Sequence, residues 1–403
     1  MQKQKRSQFE FVVLMAALMS IVALSIDAVL PALPKIGDYL NVSNPLDNPK
    51  LITSIFLGLG IGQLIFGPLS DSFGRKPVVY TGFILFIIAS IICTTTKNFE
   101  MMIFGRVLQG IGLACPRTMC IAMIRDTYEG DYMAKIISIV VMVFILVPVI
   151  APTLGQYLMN HYNWQFIFTF NLVFGLIVML WFWARQPETL KEKYRIPYRL
   201  RIFQTGTVQF FKIRAAVIYT LLSGFITGSF MVYLSTSQQI FEKQYDLADE
   251  FPLIFASLAI SVGLATFLNS QLVVRFGMKR IVHIAMISFI LISLFFIIVY
   301  NSGHNPSIEI LITFFALQFF TIGFLFGNLR ALAMEPMGHI AGIGSALNGF
   351  ISTVMAVPIA DFIGKHVVNS VTPLFIGFLV CGLISLLLFY VNSDRASKIL
   401  RKI

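Results

Sequence analysis

Charged residues are scarce in this sequence of 403 residues: they make up 12% of the chain, and only 19 residues are Asp or Glu. A soluble globular domain carries about 25% charged residues, roughly twice this fraction. Hydrophobic residues reach 57% and the mean hydropathy is +0.82. This composition excludes a soluble globular protein and indicates one that is embedded in a membrane.

Cysteine is also rare, and the common catalytic motifs are missing. The four cysteines all lie in apolar segments and show no metal-ligand spacing (Cys93, Cys115, Cys120 and Cys381). The sequence contains no Walker A glycine loop, no H-E-x-x-H and no G-x-S-x-G. It therefore predicts no metal site, no cofactor and no enzyme activity.

Long apolar runs recur along the chain, and each is close to the roughly 20 residues that a helix needs to cross a bilayer. The first run follows three bases but has no clear cleavage site, so we expect it to be retained as a helix. The pattern predicts an all-α membrane protein with twelve transmembrane helices at 9–32, 51–69, 78–96, 100–124, 134–159, 163–184, 213–236, 251–273, 281–300, 307–332, 341–368 and 371–391.

Basic residues predict the orientation of these spans. Twenty-two of the 30 Lys and Arg fall on one predicted side, together with both termini, and five fall on the other. Because loops rich in Lys and Arg stay on the cytoplasmic side, both termini are expected in the cytoplasm. The net charge of +11 therefore predicts no nucleic-acid partner.

A polar, basic segment at 185–212 separates the sixth and seventh spans. It predicts a cytoplasmic linker between an N-terminal six-helix bundle at 1–184 and a C-terminal one at 213–403. A weak internal repeat supports two related halves, because the sequence Arg275-Phe276-Gly277 resembles Phe73-Gly74-Arg75 at the equivalent place.

The short connection between the second and third spans carries an acid, two bases and two glycines: Gly67, Asp71, Gly74, Arg75 and Lys76. Gly74 permits a positive φ, and an arginine can offer a planar fork to a carboxylate. The stretch resembles motif A of the major facilitator superfamily, G-x-L-x-D-x-x-G-R-K. The resemblance implies that these five residues gate the conformational change by latching the outward-open state.

Asp27 lies within the first predicted span, where a charge is costly and marks a candidate functional site. The segment from Asp27 to Pro34 resembles the D-x-x-L-P-A-L-P pattern of the Bcr/CflA drug-resistance group. Burial favours the neutral carboxyl group and a nearby arginine favours the carboxylate, so Asp27 is suited to exchange a proton. The alternative is an interfacial acid that caps a helix end.

Arg106 opens the sequence R-V-L-Q-G-I-G, which resembles motif B of the superfamily, R-x-x-Q-G-x-G. The resemblance implies a role in proton coupling. Because the first span runs outward and the fourth inward, Asp27 and Arg106 are expected at similar depth, with Arg106 tuning Asp27. The alternative is a fixed salt bridge between two helices.

Three further charges lie inside predicted spans. Arg117 stands where the resembled group carries a small residue, and it either binds an anionic part of the substrate or extends toward the headgroups. Arg330 is either a substrate-binding residue or an interfacial anchor. Asp361 is either a second proton site or the partner of Lys365, four residues further along the helix.

The fifth span contains Pro148, Pro152 and Gly155 in a sequence that partly matches motif C of the superfamily, G-P-x-x-G-G, which marks antiporters. These residues are predicted to permit bending and close packing, and so to take part in gating; the alternative is a kinked packing helix. For the cavity wall we predict a set of uncharged polar side chains, namely Gln63, Tyr233, Gln238, Gln318, Asn328 and Asn348.

Together these resemblances identify the chain as a member of the major facilitator superfamily, similar to the Bcr/CflA drug:proton antiporters. They imply two pseudo-symmetric six-helix bundles, alternating access, and proton-driven export of a small amphipathic molecule from the bacterial inner membrane. We expect protons, a small-molecule substrate and the lipid bilayer as partners, and a monomer. The alternatives are a dedicated exporter of an anionic metabolite, such as a carboxylate siderophore, and a proton-coupled importer.

Overall fold

The computed structural model describes residues 7–128, 130–195, 200–300 and 305–400, and all regular structure in them is helical. The chain divides into two compact units, Met1–Leu200 and Arg201–Ile403. The boundary between them falls inside the predicted linker 185–212, of which residues 196–199 lie outside the described part.

The first unit contains seven α-helices among its described residues. They are α1 (Gln8–Asp27), α2 (Leu33–Tyr39), α3 (Lys50–Phe73), α4 (Arg75–Thr95), α5 (Phe99–Thr127), α6 (Gly130–His161) and α7 (Trp164–Arg185). The second unit continues with α8 (Leu200–Lys212), α9 (Arg214–Gln239), α10 (Phe251–Phe276), α11 (Met278–Val299), α12 (Ile308–Met334), α13 (Ala341–Gly364) and α14 (Thr372–Leu400).

In the described residues, eleven helical segments are long and apolar enough to cross a membrane. The remaining predicted span, 134–159, lies within α6, and many of its side chains fall outside the described part of the chain. The predicted linker is not wholly irregular, because its second half forms α8. Gly206 and Phe210, one turn apart on α8, are buried, whereas Phe211 is exposed.

The first predicted span, 9–32, lies within the apolar helical segment Gln8–Tyr39, which is not one continuous α-helix. The α-helix ends at Asp27, and the chain continues as a 3₁₀ turn at Leu30–Ala32 and then as α2. Pro31 and Pro34 lack the backbone N–H that an α-helix needs at each interior position, so an uninterrupted helix is disfavoured here. Asp27 therefore occupies the last position of α1 rather than the interior of a longer helix.

Close backbone approaches hold the helices of the first unit together. A Cβ atom at Gly58 would collide with the carbonyl oxygen of Val107, and one at Gly110 would collide with that of Ile55. Both contacts lie between α3 and α5. Since lipid is as apolar as a leucine side chain, helices in a membrane associate through such close packing rather than through the hydrophobic effect.

The second unit uses a similar contact between α9 and α13. Gly224 packs on Met355 and Gly228 packs on Ile359. Near one end of the same contact, the Asn348 side-chain amide donates a hydrogen bond of 2.8 Å to the Thr220 hydroxyl.

We expect Gly110→Ala to lower the free energy of unfolding by about 1–3 kcal/mol, because the added methyl group overpacks the contact between α3 and α5. Gly327→Ala is the matched control, since no described atom lies within 4 Å of a Cβ built at that glycine of α12. Helix propensity favours alanine equally at both sites. The measurement is the thermal unfolding midpoint of the purified protein, and equal midpoints for the two variants would contradict the packing argument.

Candidate functional site

The connection between α3 and α4 is a single residue, Gly74, whose φ is +99°. The Glu188 carboxylate lies at this turn and accepts hydrogen bonds from the backbone N–H groups of Arg75 and Lys76, each 3.0 Å long. These amides belong to the first turn of α4, where the helix leaves its N–H groups unpaired and its dipole favours an anion. Glu188 therefore supplies both the acceptor and the charge that this helix end requires.

Glycine is required at position 74 for two reasons. A φ of +99° is strained for any residue with a side chain, and a Cβ atom would lie 2.6 Å from the Glu188 Oε2. The same carboxylate also accepts hydrogen bonds from the backbone N–H groups of Thr189 and Leu190, at 2.9 and 3.0 Å. The segment that follows α7 is thus fixed against the turn.

The Arg75 side chain connects the turn to two more acids. It is only 3% exposed; its Nη1 donates to the Asp71 Oδ1 at 2.6 Å and to the Ser70 hydroxyl at 2.7 Å. Its Nε donates to the Asp126 Oδ2 at 2.9 Å. Such charge-assisted hydrogen bonds are roughly twice as strong as neutral ones, so Arg75 ties α3, α4 and α5 together.

The remaining predicted residues of this turn are also engaged. The Lys76 Nζ donates to the carbonyl oxygen of Trp183 on α7 at 3.0 Å, and the Gly67 carbonyl accepts from the Ser70 hydroxyl at 2.8 Å. Sequence reasoning missed Asp126 and Glu188. Each is an acid beside a helix end, at Arg125-Asp126 and Pro187-Glu188, but only the fold brings them to the turn.

Arg106 forms a second polar centre in the first unit. Its side chain has no exposed surface; the Nε donates to the Leu51 carbonyl at 2.9 Å, and the Nη1 donates to the Ser25 carbonyl at 2.9 Å. The Nη1 also donates to the Gln109 Oε1 at 2.7 Å. Three helices, α1, α3 and α5, therefore meet at one guanidinium group.

The polar centre extends to α4 and α7. The Gln109 amide donates to the Ser90 hydroxyl at 3.0 Å, and the guanidinium carbon of Arg106 lies 5.7 Å from the centre of the Phe168 ring. Asn171, one turn beyond Phe168, is buried, and its amide has no hydrogen-bond partner within the described protein. Asn171 stands out as a polar residue in an apolar span, a signal that sequence reasoning did not use.

Arg106 contacts the helix that carries Asp27, but the two side chains are not paired. Among the described residues, no Lys or Arg nitrogen lies within 4.0 Å of the Asp27 carboxylate, so the predicted alternative of a salt bridge is not formed. Arg106 instead bonds the carbonyl of Ser25. Two positions along a helix correspond to a rotation of about 200°, so residues 25 and 27 face different sides of α1.

Asp27 is nevertheless buried, with 5% of its surface exposed. Immediately after it, the carbonyl oxygen of Ala28 is approached so closely by α6 that a Cβ atom at Gly155 would collide with it. Pro148 and Pro152 both lie inside α6, where each removes a backbone hydrogen bond. The predicted motif C segment is therefore packed against the end of α1 that carries Asp27.

The predicted cavity residues of the second unit fall into two groups. Gln318 has no exposed surface and donates to the Phe289 carbonyl and the Ser293 hydroxyl on α11, at 3.2 and 2.9 Å. Its amide thus joins α11 and α12. Asn328 donates to the Asn269 Oδ1 on α10 at 2.6 Å, so its amide also joins helices.

The other candidates are placed as follows. Tyr233 is buried among aromatic rings, with the ring centre of Phe319 at 4.5 Å and that of Phe315 at 5.2 Å. Gln63 and Gln238 are buried, and Asn348 bonds Thr220 as described above. Arg117 and Asp361 are half-buried, whereas Arg330 is exposed.

A polytopic helical chain with buried charged residues inside its spans belongs to the class of membrane transporters. The family model described as Major Facilitator Superfamily matches residues 15–360. The chain therefore belongs to the Major Facilitator Superfamily, a family of transporters rather than enzymes, and it is a multi-pass membrane protein. The predicted family and its twelve-helix fold are confirmed.

Two curated relatives span nearly the whole chain. A bicyclomycin resistance protein homolog of Haemophilus influenzae is 27% identical over 398 residues, which cover 98% of this chain and 99% of the relative. The multidrug resistance protein MdtL of Shewanella oneidensis is 27% identical over 366 residues, covering 90% of each chain. The predicted resemblance to the Bcr/CflA group is confirmed by these relatives.

The fold also matches that of a solved D-xylose–proton symporter, with a TM-score of 0.74. The match covers 94% of this chain and 97% of the symporter, at 15% sequence identity. At that identity the likeness concerns the fold alone.

We expect Glu188→Ala to loosen the start of α4, because removal of a capping acceptor costs about 0.5–2 kcal/mol. Amide hydrogen exchange in the peptide that contains Arg75 and Lys76 should become several-fold to about tenfold faster. Glu192→Ala, an exposed acid in the same segment, is the control. If exchange at the start of α4 were the same in both variants, the capping role of Glu188 would be wrong.

We expect Arg106→Lys to destabilise the protein, because one ammonium group cannot reproduce the planar fork that serves Leu51, Ser25 and Gln109. A buried acceptor left without a donor costs about 1–3 kcal/mol. The control is Arg125→Lys, an exposed arginine on the same helix. Thermal unfolding of both purified variants is the measurement. A midpoint for Arg106→Lys as high as that of Arg125→Lys would show that the hydrogen bonds of Arg106 do not stabilise the protein.

Proposed function

We propose that this protein exports small amphipathic molecules, of the kind handled by multidrug efflux systems, in exchange for protons. The observation that carries the proposal is Asp27, a buried acid at the end of a membrane-spanning helix with no ion-pair partner among the described residues. Such groups in a membrane are expensive and mark proton or substrate pathways. The names of both relatives, bicyclomycin resistance protein homolog and multidrug resistance protein, support drug export.

Proton exchange at Asp27 is supported by what surrounds it on α1. Two residues before Asp27, the Ser25 carbonyl accepts a hydrogen bond from Arg106. Directly after Asp27, the Ala28 carbonyl is in close contact with Gly155 of α6. The carboxyl group lies between these two attachments. Gain or loss of its charge changes the free energy of burying this end of α1. The contacts of α1 with α5 and α6 are therefore the ones that a change of charge would strengthen or weaken. Arg106 in this proposal positions α1 and does not contact the carboxylate.

Gating is assigned to the acid–base network at the turn between α3 and α4. Asp71, Arg75 and Lys76 are joined there by hydrogen bonds to Asp126, Glu188 and the carbonyl of Trp183. Several charge-assisted bonds break together if the turn moves, which favours two discrete arrangements over continuous deformation.

We assign substrate contact to Gln63, Arg117, Tyr233, Gln238 and Arg330, and a second proton site to Asp361. The relatives favour drug export over the two alternatives raised by the sequence, export of an anionic metabolite and proton-coupled import. The excess of bases in the terminal segments and the linker supports cytoplasmic termini in a bacterial inner membrane. We further propose that the protein works as a monomer.

We expect Asp27→Asn to abolish proton-driven export while the protein remains in the membrane, because asparagine is similar in size but cannot release a proton. The measurement is the efflux of a fluorescent lipophilic cation from proteoliposomes under an imposed pH gradient. Asp38→Asn, an exposed acid on α2, is the matched control.

Proton-driven efflux by Asp27→Asn at the rate of the control would exclude Asp27 as the proton carrier. Efflux by neither the wild type nor the control, under any direction of the gradient, would exclude drug export itself.

A further inference from the structure

The turn between α10 and α11 in the second unit repeats the backbone of the turn at Gly74. α10 ends at Phe276, α11 begins at Met278, and the single connecting residue, Gly277, has a φ of +76°. We call the segment Arg275–Arg280 the basic turn, since it carries Arg275, Lys279 and Arg280.

The two turns differ in how their charges are satisfied. At Gly74, Glu188 lies 2.6 Å from the position of a Cβ atom, whereas at Gly277 no described atom lies within 4 Å of that position. No side chain caps the start of α11. The first unit thus provides its own carboxylate at this turn, and the described residues of the second unit do not.

The three bases of the basic turn have no acid close to them in the sequence. The sequence contains no Asp or Glu from Phe251 to Ile308. In the described part of the chain, no carboxylate oxygen lies within 4.0 Å of the charged nitrogens of the basic turn, and all three side chains are exposed. By contrast, Arg75 in the first unit is buried between Asp71 and Asp126.

Exposed apolar residues accompany these charges. Val274 is 88% exposed, Phe276 is 43% exposed and Leu272 is 37% exposed. The guanidinium carbons of Arg275 and Arg280 lie 5.3 and 5.9 Å from the centre of the Phe276 ring, so both cations are gathered around one aromatic side chain. Both helices that flank the turn are long and apolar enough to cross a membrane, which places the turn at a membrane surface.

We propose that the basic turn binds the phosphate headgroup of an anionic phospholipid. A phosphodiester is an anion, opposite in sign to the three exposed cations, and the guanidinium group of arginine matches its geometry. A free phosphate ion would leave the neighbouring apolar side chains in water. The acyl chains of a phospholipid cover Leu272 and Phe276, which lie one turn apart on α10, in the arrangement that basic, aromatic segments adopt at membrane interfaces. In the first unit the Glu188 carboxylate is the anion at the glycine turn. In the second unit the lipid phosphate is the anion at the equivalent turn.

The test compares phospholipid binding to the full-length protein by native mass spectrometry, with phosphatidylglycerol and phosphatidylcholine of identical acyl chains. The variant is Arg275→Gln/Arg280→Gln. The control is Lys191→Gln/Lys193→Gln, which removes two exposed cations from the segment after α7, one of them also set against an aromatic ring at 4.8 Å. At about fivefold per cation, the variant should bind phosphatidylglycerol about 25-fold more weakly, and the control should bind it like the wild type.

A second measurement needs no variant. Raising the ammonium acetate concentration from about 50 to about 500 mM should release phosphatidylglycerol from the wild type but leave phosphatidylcholine unchanged, because salt screens exposed charges. Three results would each overturn the proposal: equal loss of phosphatidylglycerol in the variant and its control, binding that does not respond to salt, or competition by inorganic phosphate as effective as that by phosphatidylglycerol.

Discussion

A buried guanidinium group in a chain that crosses a membrane imposes the constraint on which the first unit depends. Arg106 has no exposed surface and no acid within ion-pair distance among the described residues, so its charge is compensated by carbonyl oxygens of α1 and α3 and by the Gln109 amide. In hydrocarbon no water can replace these acceptors. The carbonyl groups of α1 and α3 must therefore stay within hydrogen-bonding distance of the arginine. The close contacts at Gly58 and Gly110 hold α3 and α5 near enough for this.

The arginine also explains why Asp27 is available for another role. Had Arg106 paired with Asp27, the two charges would have neutralised each other and fixed the carboxylate. Because Arg106 instead donates to the Ser25 carbonyl and to its other acceptors, Asp27 remains a buried acid at the end of a helix. Its position between two attachments of α1, to α5 and to α6, links its charge to helix packing in one unit of the protein.

The turns at Gly74 and Gly277 share a backbone conformation but differ in the charged residues around them. At Gly74 the acids Asp71, Asp126 and Glu188 surround a buried Arg75, so the charges of this turn are paired within the first unit. At Gly277 the same positive φ leads into an exposed basic surface with exposed apolar neighbours. Since the backbone is shared, the difference lies in where acidic residues occur: one follows α7 in the first unit, and none occurs from Phe251 to Ile308 in the second.

Local composition, span length and residues a few positions apart were enough to predict the membrane class, the transporter family and the turn at Gly74. Asp27 and Arg106 could also be singled out, since charges in apolar spans are visible without a fold. Their partners could not be predicted in this way. Asp126 and Glu188 reach Arg75 from 51 and 113 residues away, Arg106 bonds a backbone carbonyl and not the nearby acid, and Gln318 bonds α11. The rotation of each helix about its axis determines these contacts, and that rotation is set by the packing of whole helices rather than by any local stretch of sequence.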